Sequence, residues 1–172
     1  MTEKEKQQAG ELYSRKDREL LLDRNNAKKL CREFNDSIYN DYQKKERILD
    51  RLLALKGDNV NVEPDFFCDY GYNIIIGDNF YANHNCVILD CAEVVFGNDV
   101  YIGPNCGFYT SACPHDAELR NQGLEFAKPI KVGNNVWTTK DNFKTESQIS
   151  DANPQQKDYN WGTVELVSWT TE

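Results

Sequence analysis

Histidine is scarce in this chain: two, His84 and His115, in 172 residues, so an imidazole general base has only two candidates. Apolar runs of spanning length, about 20 residues, are absent. A charged-then-apolar start of the signal-peptide type is absent too. These two absences predict a soluble, cytoplasmic protein. Positive charge is also short, with 20 Lys and Arg against 28 Asp and Glu and a net charge of −8, which argues against nucleic acid or an anionic membrane as the main partner. The deficit is uneven, because residues 1–57 are net basic and the rest is acidic. The six cysteines include no C-x-x-C pair, so buried free thiols in a reducing compartment are expected. A zinc site built from Cys106, Cys113 and His115 would lack a paired ligand knuckle, and no metal is expected.

What is present falls into three stretches with different patterning. Residues 1–57 read as a helical cap. Thr2 followed by Glu5 fits a capping box, and Asp17 fits the N-cap of a second helix with Leu20, Leu21, Ala27, Leu30, Cys31 and Phe34 at helical spacing. Ile48, Leu49, Leu52, Leu53 and Leu55 support a third helix closed by Gly57. The dense charge of this region reads most simply as solvated surface.

Residues 58–137 repeat an apolar residue, Gly, and then Asn or Asp. The tetrads are Ile76-Gly77-Asp78-Asn79, Phe96-Gly97-Asn98-Asp99, Ile102-Gly103-Pro104-Asn105 and Val132-Gly133-Asn134-Asn135. The steps from 96 to 102 and from 102 to 132 are multiples of six, while 76 to 96 is off by two. Such hexads predict a mainly β chain wound as a parallel β-helix: aliphatic residues stack inward, while Gly and Asn or Asp take turn conformations other residues resist. The alternative is an antiparallel sheet with Gly-Asn turns. Residues 138–172 drop the repeat. Thr138 to Asn160 has the composition of a loosely packed or disordered segment, and Val164, Leu166 and Trp169 fit one late strand.

Several segments resemble the maltose/galactoside/nodulation O-acetyltransferase family, and they occur in that family's order. They include Ala9-Gly10-Glu11-Leu12-Tyr13, Cys68-Asp69-Tyr70-Gly71-Tyr72-Asn73, Asn79-Phe80-Tyr81-Ala82-Asn83, Lys128-Pro129 and Gly133-Asn134-Asn135-Val136-Trp137. The resemblance implies a left-handed β-helix under a helical cap, against the usual right-handed crossover. It also implies a homotrimer with clefts between subunits, and transfer of acetyl from acetyl-CoA to a sugar acceptor. In that chemistry a histidine takes the sugar hydroxyl's proton, and backbone amides stabilise the oxyanion.

Carried over residue by residue, the resemblance puts Asn83 at the acceptor hydroxyl, with Tyr81 lining the sugar site. Asp17, Asp69 and Asp90 fall on the acceptor side, Glu125 in an extruded loop, and Gly103 on the acetyl-CoA side. Each carboxylate could instead be a solvated turn residue. Two departures stand out. The family writes Thr-x-x-His-Pro where this chain writes Thr110-Ser111-Ala112-Cys113-Pro114, so a thiol takes the base's place. A thiol replaces an imidazole poorly as a base and is itself a nucleophile. His115, two residues on, points to the same side of an extended segment and is the nearest substitute. His84, beside Asn83, is the second candidate. The other departure follows Trp137, where the family continues with further hexads and this chain does not, leaving an open edge on the last coil. The expectation is an O-acetyltransferase fold with impaired activity. The alternatives are a non-catalytic sugar-binding or scaffolding relict, and a Cys-His hydrolase on Cys113 and His115, which their adjacency disfavours.

Overall fold

The computed structural model describes residues 1–138 and the backbone of residues 164–165. Three helices come first: α1 (Glu3–Ala9), α2 (Arg18–Asn35) and α3 (Tyr42–Leu52). The capping box at Thr2 forms: its hydroxyl accepts from the Glu5 amide at 3.2 Å, and the Glu5 carboxylate accepts from the Thr2 amide at 2.7 Å. A two-residue strand, β1 (Tyr13–Ser14), separates α1 from α2. Buried Ala27, Leu30, Cys31 and Phe34 of α2 join Ile48, Leu49 and Leu52 of α3 in one core with the coils below. Asn35 completes that join, donating to the Phe66 carbonyl and accepting from the Phe66 amide, each at 2.9 Å. The third helix ends sooner than its sequence suggests. It stops at Leu52, and Leu55–Lys56 is already a strand, so Gly57 belongs to the first coil rather than to a helix cap.

The coils form a prism with three parallel faces. One carries β2 (Leu55–Lys56), β5 (Ile74–Ile76), β8 (Val94–Phe96) and β13 (Ile130–Val132). The second carries β3 (Asn61–Val62), β6 (Tyr81–Ala82), β9 (Val100–Ile102) and β14 (Val136–Thr138). The third carries β4 (Phe66–Cys68), β7 (Cys86–Leu89) and β10 (Gly107–Tyr109). Ile75 pairs with Leu55 below and Val95 above, so one coil takes 20 residues. Inward residues Ile76, Ala82 and Ile88 are six apart, but Ile88 to Phe96 is eight. That longer third corner is the physical origin of the two-residue slip in the repeat. Phe80, Phe96 and Phe108 stack edge to face inside, at centroid distances of 5.2 and 5.0 Å.

The Gly-Asp/Asn tetrads divide the labour at one corner. A Cβ on Gly77 would lie 2.4 Å from Asn98 Oδ1, so glycine there lets the next coil's side chain reach in. Asn98 Oδ1 accepts from the Asp78 amide at 2.8 Å, and Asp78 Oδ1 from the Asp58 amide at 2.8 Å. The left-handed residue is the next one along: Asn59, Asn79, Asp99 and Asn135 all have φ between 55 and 58°. Glycine thus serves close approach here, and Asn or Asp serves the positive φ.

The edge of β13 is not open. The strand β15 (Val164–Glu165) pairs with it antiparallel, Val164 opposite Val132. This agrees with the expected late strand at Val164 and corrects the expected bare edge on this face; Leu166, Trp169 and the loosely packed segment expected after Thr138 lie outside the described residues.

Candidate functional site

The lengthened corner collects most of the candidate residues. In the lower coil it spans residues 69–73, in the next 90–93, and in the third it swells into residues 110–129. Asp90 organises the first two. It is wholly buried, and its carboxylate accepts from the amides of Tyr70 at 2.8 Å, Asp69 at 3.0 Å and Asn73 at 3.3 Å. Burial pushes its pKa up to about 7, against the pull of those amides. Asp90 therefore shapes the corner from inside and offers no exposed oxygen. Thr110 closes the turn above, donating to the Leu89 carbonyl at 2.6 Å and accepting from the Ala92 amide at 2.9 Å.

The swollen corner is built from β11 (Ser111–Ala112), α4 (Ala117–Gln122) and β12 (Leu124–Ala127). Asp116 caps α4, accepting from Glu118 and Leu119 amides at 2.8 and 3.0 Å. The strand β12 pairs antiparallel with β11 and with β1, placing Tyr13 opposite Glu125. Cys113 lies just past β11 and is exposed, Pro114 is buried, and His115 is exposed again. Arg120 pins this stretch, donating to the Pro114 and His115 carbonyls at 3.1 Å each. Among the described residues the Cys113 thiol has no hydrogen-bond partner.

Cap, corner and loop line an open cavity of about 480 Å³. Asp69 and Glu125 line it, as do Ser111, Leu89 and Cys91. The Cys91 thiol donates to Asp69 at 3.4 Å, and the Tyr13 phenol donates to Glu125 at 2.6 Å. Burial and the Glu125 carboxylate both raise the pKa of Tyr13. The remaining lining comes from the cap: Arg15, Lys16, Leu21, Arg24 and Lys28. These cations were hidden in charge that the sequence presents as solvated surface. Their signal was the stripe Leu21, Arg24, Lys28, which helical spacing puts on one face.

The other candidates do not converge here, and Cys113 and His115 are not among the lining residues either. Asp17 is engaged as the N-cap of α2, accepting from Glu19 at 2.9 Å and Leu20 at 3.2 Å. Tyr81 sits on the outer side of the second face, 6.5 Å from Tyr101. Asn83 begins the next corner, its side chain accepting from the His84 amide at 2.7 Å. The His84 ring contacts the Pro64 carbonyl and lines a separate cavity beneath α3. The Gly103 amide donates to the Thr138 carbonyl at 2.8 Å. Cys106 is buried in the prism, apart from exposed Cys113, and no metal-holding group of His, Cys, Asp and Glu occurs among the described residues.

Residues 6–57 match the family model described as the maltose acetyltransferase hexapeptide capping motif. A maltose O-acetyltransferase from Clostridium difficile is similar in structure, with a TM-score of 0.79 and 45% identity over 81% of this chain and 74% of that one. The chain belongs to the maltose/galactoside/nodulation O-acetyltransferase family. A galactoside acetyltransferase in complex with coenzyme A matches with a TM-score of 0.76 and 39% identity, over 80% of this chain and 68% of that one. A Saccharomyces cerevisiae protein named only as an acetyltransferase is 51% identical over 129 residues, 74% of this chain; the chain spans 66% of that relative's length. The prism is accordingly the left-handed, hexapeptide-repeat β-helix of this acetyltransferase family.

Proposed function

We propose that this chain is an acetyl-CoA-dependent O-acetyltransferase of a sugar hydroxyl, impaired by the thiol at position 113. One observation carries the reading: two carboxylates, Asp69 and Glu125, line one cavity with Ser111, two residues before Cys113, although Cys113 and His115 themselves do not line it. Coenzyme A in the galactoside acetyltransferase supports acetyl-CoA as the co-substrate. When bound, it supplies the acyl thioester.

In this reading Asp69 and Glu125 accept hydrogen bonds from sugar hydroxyls, which orients one of them toward the loop. Asp90 acts as a positioning residue, since it holds the Asp69 amide. A base must then take the hydroxyl proton. The sugar oxygen attacks the acyl carbon, the carbon–sulfur bond breaks, and the departing thiolate takes up a proton. Cys113 does this poorly, because a thiol ionises above an imidazole and, once ionised, attacks carbonyl carbon itself. His115 is the substitute base, offset by two residues. Misplacement by even about 1 Å costs about a hundredfold in rate.

Asn83, Tyr81 and Gly103 lie on other parts of the prism, so their family roles require a neighbouring subunit. Their placement supports a homotrimer whose clefts combine one protomer's cap and loop with another's second face. Asp17 is committed to the N-cap of α2 and does not line the cavity, so any role at the acceptor is indirect. Among the described residues no helix is long and apolar enough to cross a membrane.

A second reading, a non-catalytic sugar-binding or scaffolding subunit, is favoured by the lack, among the described residues, of any hydrogen-bond partner that would activate the Cys113 thiol. Isothermal titration with CoA and with maltose, glucose and galactosides separates the two. The transferase reading expects binding of both classes, and the relict reading expects sugar alone. Binding of neither contradicts both.

A further inference from the structure

We infer that the sugar accepted at this cavity is anionic, carrying a phosphate or a carboxylate. The inference rests on the reading of the cavity as the acceptor site and narrows it. Four cationic side chains, Arg15, Lys16, Arg24 and Lys28, line the cavity against two carboxylates, Asp69 and Glu125. This net positive lining occurs in a chain whose net charge is −8.

The four cations are not equivalent. Arg24 is half-buried and already engaged: its guanidinium donates to the Tyr70 hydroxyl at 2.6 Å and to the Arg15 carbonyl. Burial lowers its pKa, but Tyr70 first, then Asp69 and Glu125, outweigh that and raise it. The two carboxylates therefore already face one cation. Arg15, Lys16 and Lys28 are exposed, and none of them forms an ion pair among the described residues.

These three cations are brought together by the fold. Arg15 and Lys16 come from the turn between β1 and α2, which β12 holds through its pairing with β1. The Lys16 stem lies against Gly123, where an added Cβ would meet its Cε at 2.9 Å. Lys28 follows Arg24 by four residues on α2 and shares its face. One side of the cavity therefore offers hydroxyl acceptors, and the cap side offers uncompensated positive charge.

A neutral sugar would use the first side and leave the cations to water. A sugar bearing an oxyanion would use both, exchanging water for charge-assisted hydrogen bonds. If the cations are merely solvated surface, they will not discriminate between the two.

The test is calorimetric titration of the full chain with glucose, glucose 6-phosphate, glucuronate and inorganic phosphate, at low salt and in 0.5 M NaCl. We expect at least one anionic sugar to bind about tenfold tighter than glucose, as one good charge-assisted contact gives. That advantage should shrink in salt and disappear in the double variant Arg15→Gln, Lys16→Gln. Preference for glucose 6-phosphate over glucuronate, or the reverse, identifies the oxyanion. Equal affinity for glucose and both anionic sugars overturns the inference while leaving a sugar site. Inorganic phosphate binding as tightly as glucose 6-phosphate also overturns it. Binding of no sugar overturns the acceptor-site reading as well.

Discussion

The Tyr13 hydroxyl donates to the Glu125 carboxylate at 2.6 Å, joining residues 112 apart in the sequence. This bond ties the helical cap to the loop that carries Cys113, because Tyr13 sits on β1 and Glu125 on β12, two strands paired antiparallel. The cavity exists only while the two stay docked. Replacing Tyr13 with Phe keeps the buried ring and removes the donor. The expected cost is about 1.5–3 kcal/mol, the range for a hydrogen bond to a charged acceptor. Hydrogen exchange should localise the effect, with faster exchange in β1 and β12 and unchanged rates in β5 and β8. Uniform acceleration across the coils would contradict the docking role.

The buried carboxyl of Asp90 sets a pH dependence. Its folded pKa of about 7 lies above the ordinary carboxyl value near 4. Between those values the folded chain holds a proton that the unfolded chain has lost. Its contribution to stability therefore falls as pH rises from about 4 to 7, and is level above that. Urea unfolding at pH 5 and pH 7.5 reads this directly. Asp90→Asn should lose that slope, since its side chain cannot ionise; an unchanged slope would assign the dependence to another group.

At the Gly-Asn corner, two substitutions separate the two jobs in the repeat. Gly77→Ala drives a Cβ to within 2.4 Å of Asn98 Oδ1 and 2.5 Å of the Gly97 carbonyl. Overpacking of this kind costs about 1–3 kcal/mol. Asn79→Ala leaves space but places a non-glycine, non-Asx residue at φ 55°, with a cost of about 1–2 kcal/mol. It also removes the rung in which the Asn79 amide donates to Asp99 at 3.0 Å. Denaturant midpoints measure both, and neither variant should alter the cavity. A neutral Gly77→Ala would refute the close-approach explanation.

Much of the architecture was legible in the chain because the repeat is enforced by contact between coils. Gly77 and Asn98 are written into the sequence together, since one exists to admit the other. The capping box at Thr2 and the N-cap at Asp17 were equally local, and each satisfies amides of its own helix. What escaped was set by partners far away in sequence. Gly57 follows Lys56 at the end of a helical pattern and looks like a helix stop, yet its role comes from Asp78 one coil later. The six-residue α4 has no apolar periodicity, and its markers are only its two caps, Asp116 at the start and Gly123 at the end. Asp90 reads as a turn carboxylate, and only the wrapping of the lower coil's amides around it reveals a buried brace. Arg24 and Lys28 looked like solvated charge until the fold set their face of α2 along the cavity.

The central claim is that residue 113 limits the chemistry, so the decisive measurement is CoA release from acetyl-CoA with a sugar panel. The natural chain and Cys113→His are assayed side by side, with glucose, maltose, galactosides and glucose 6-phosphate as acceptors. A positioned base contributes about 10²–10⁴-fold, so Cys113→His should release CoA at least about a hundredfold faster than the natural chain. Equal rates in the two proteins, whether fast or silent, would contradict the claim.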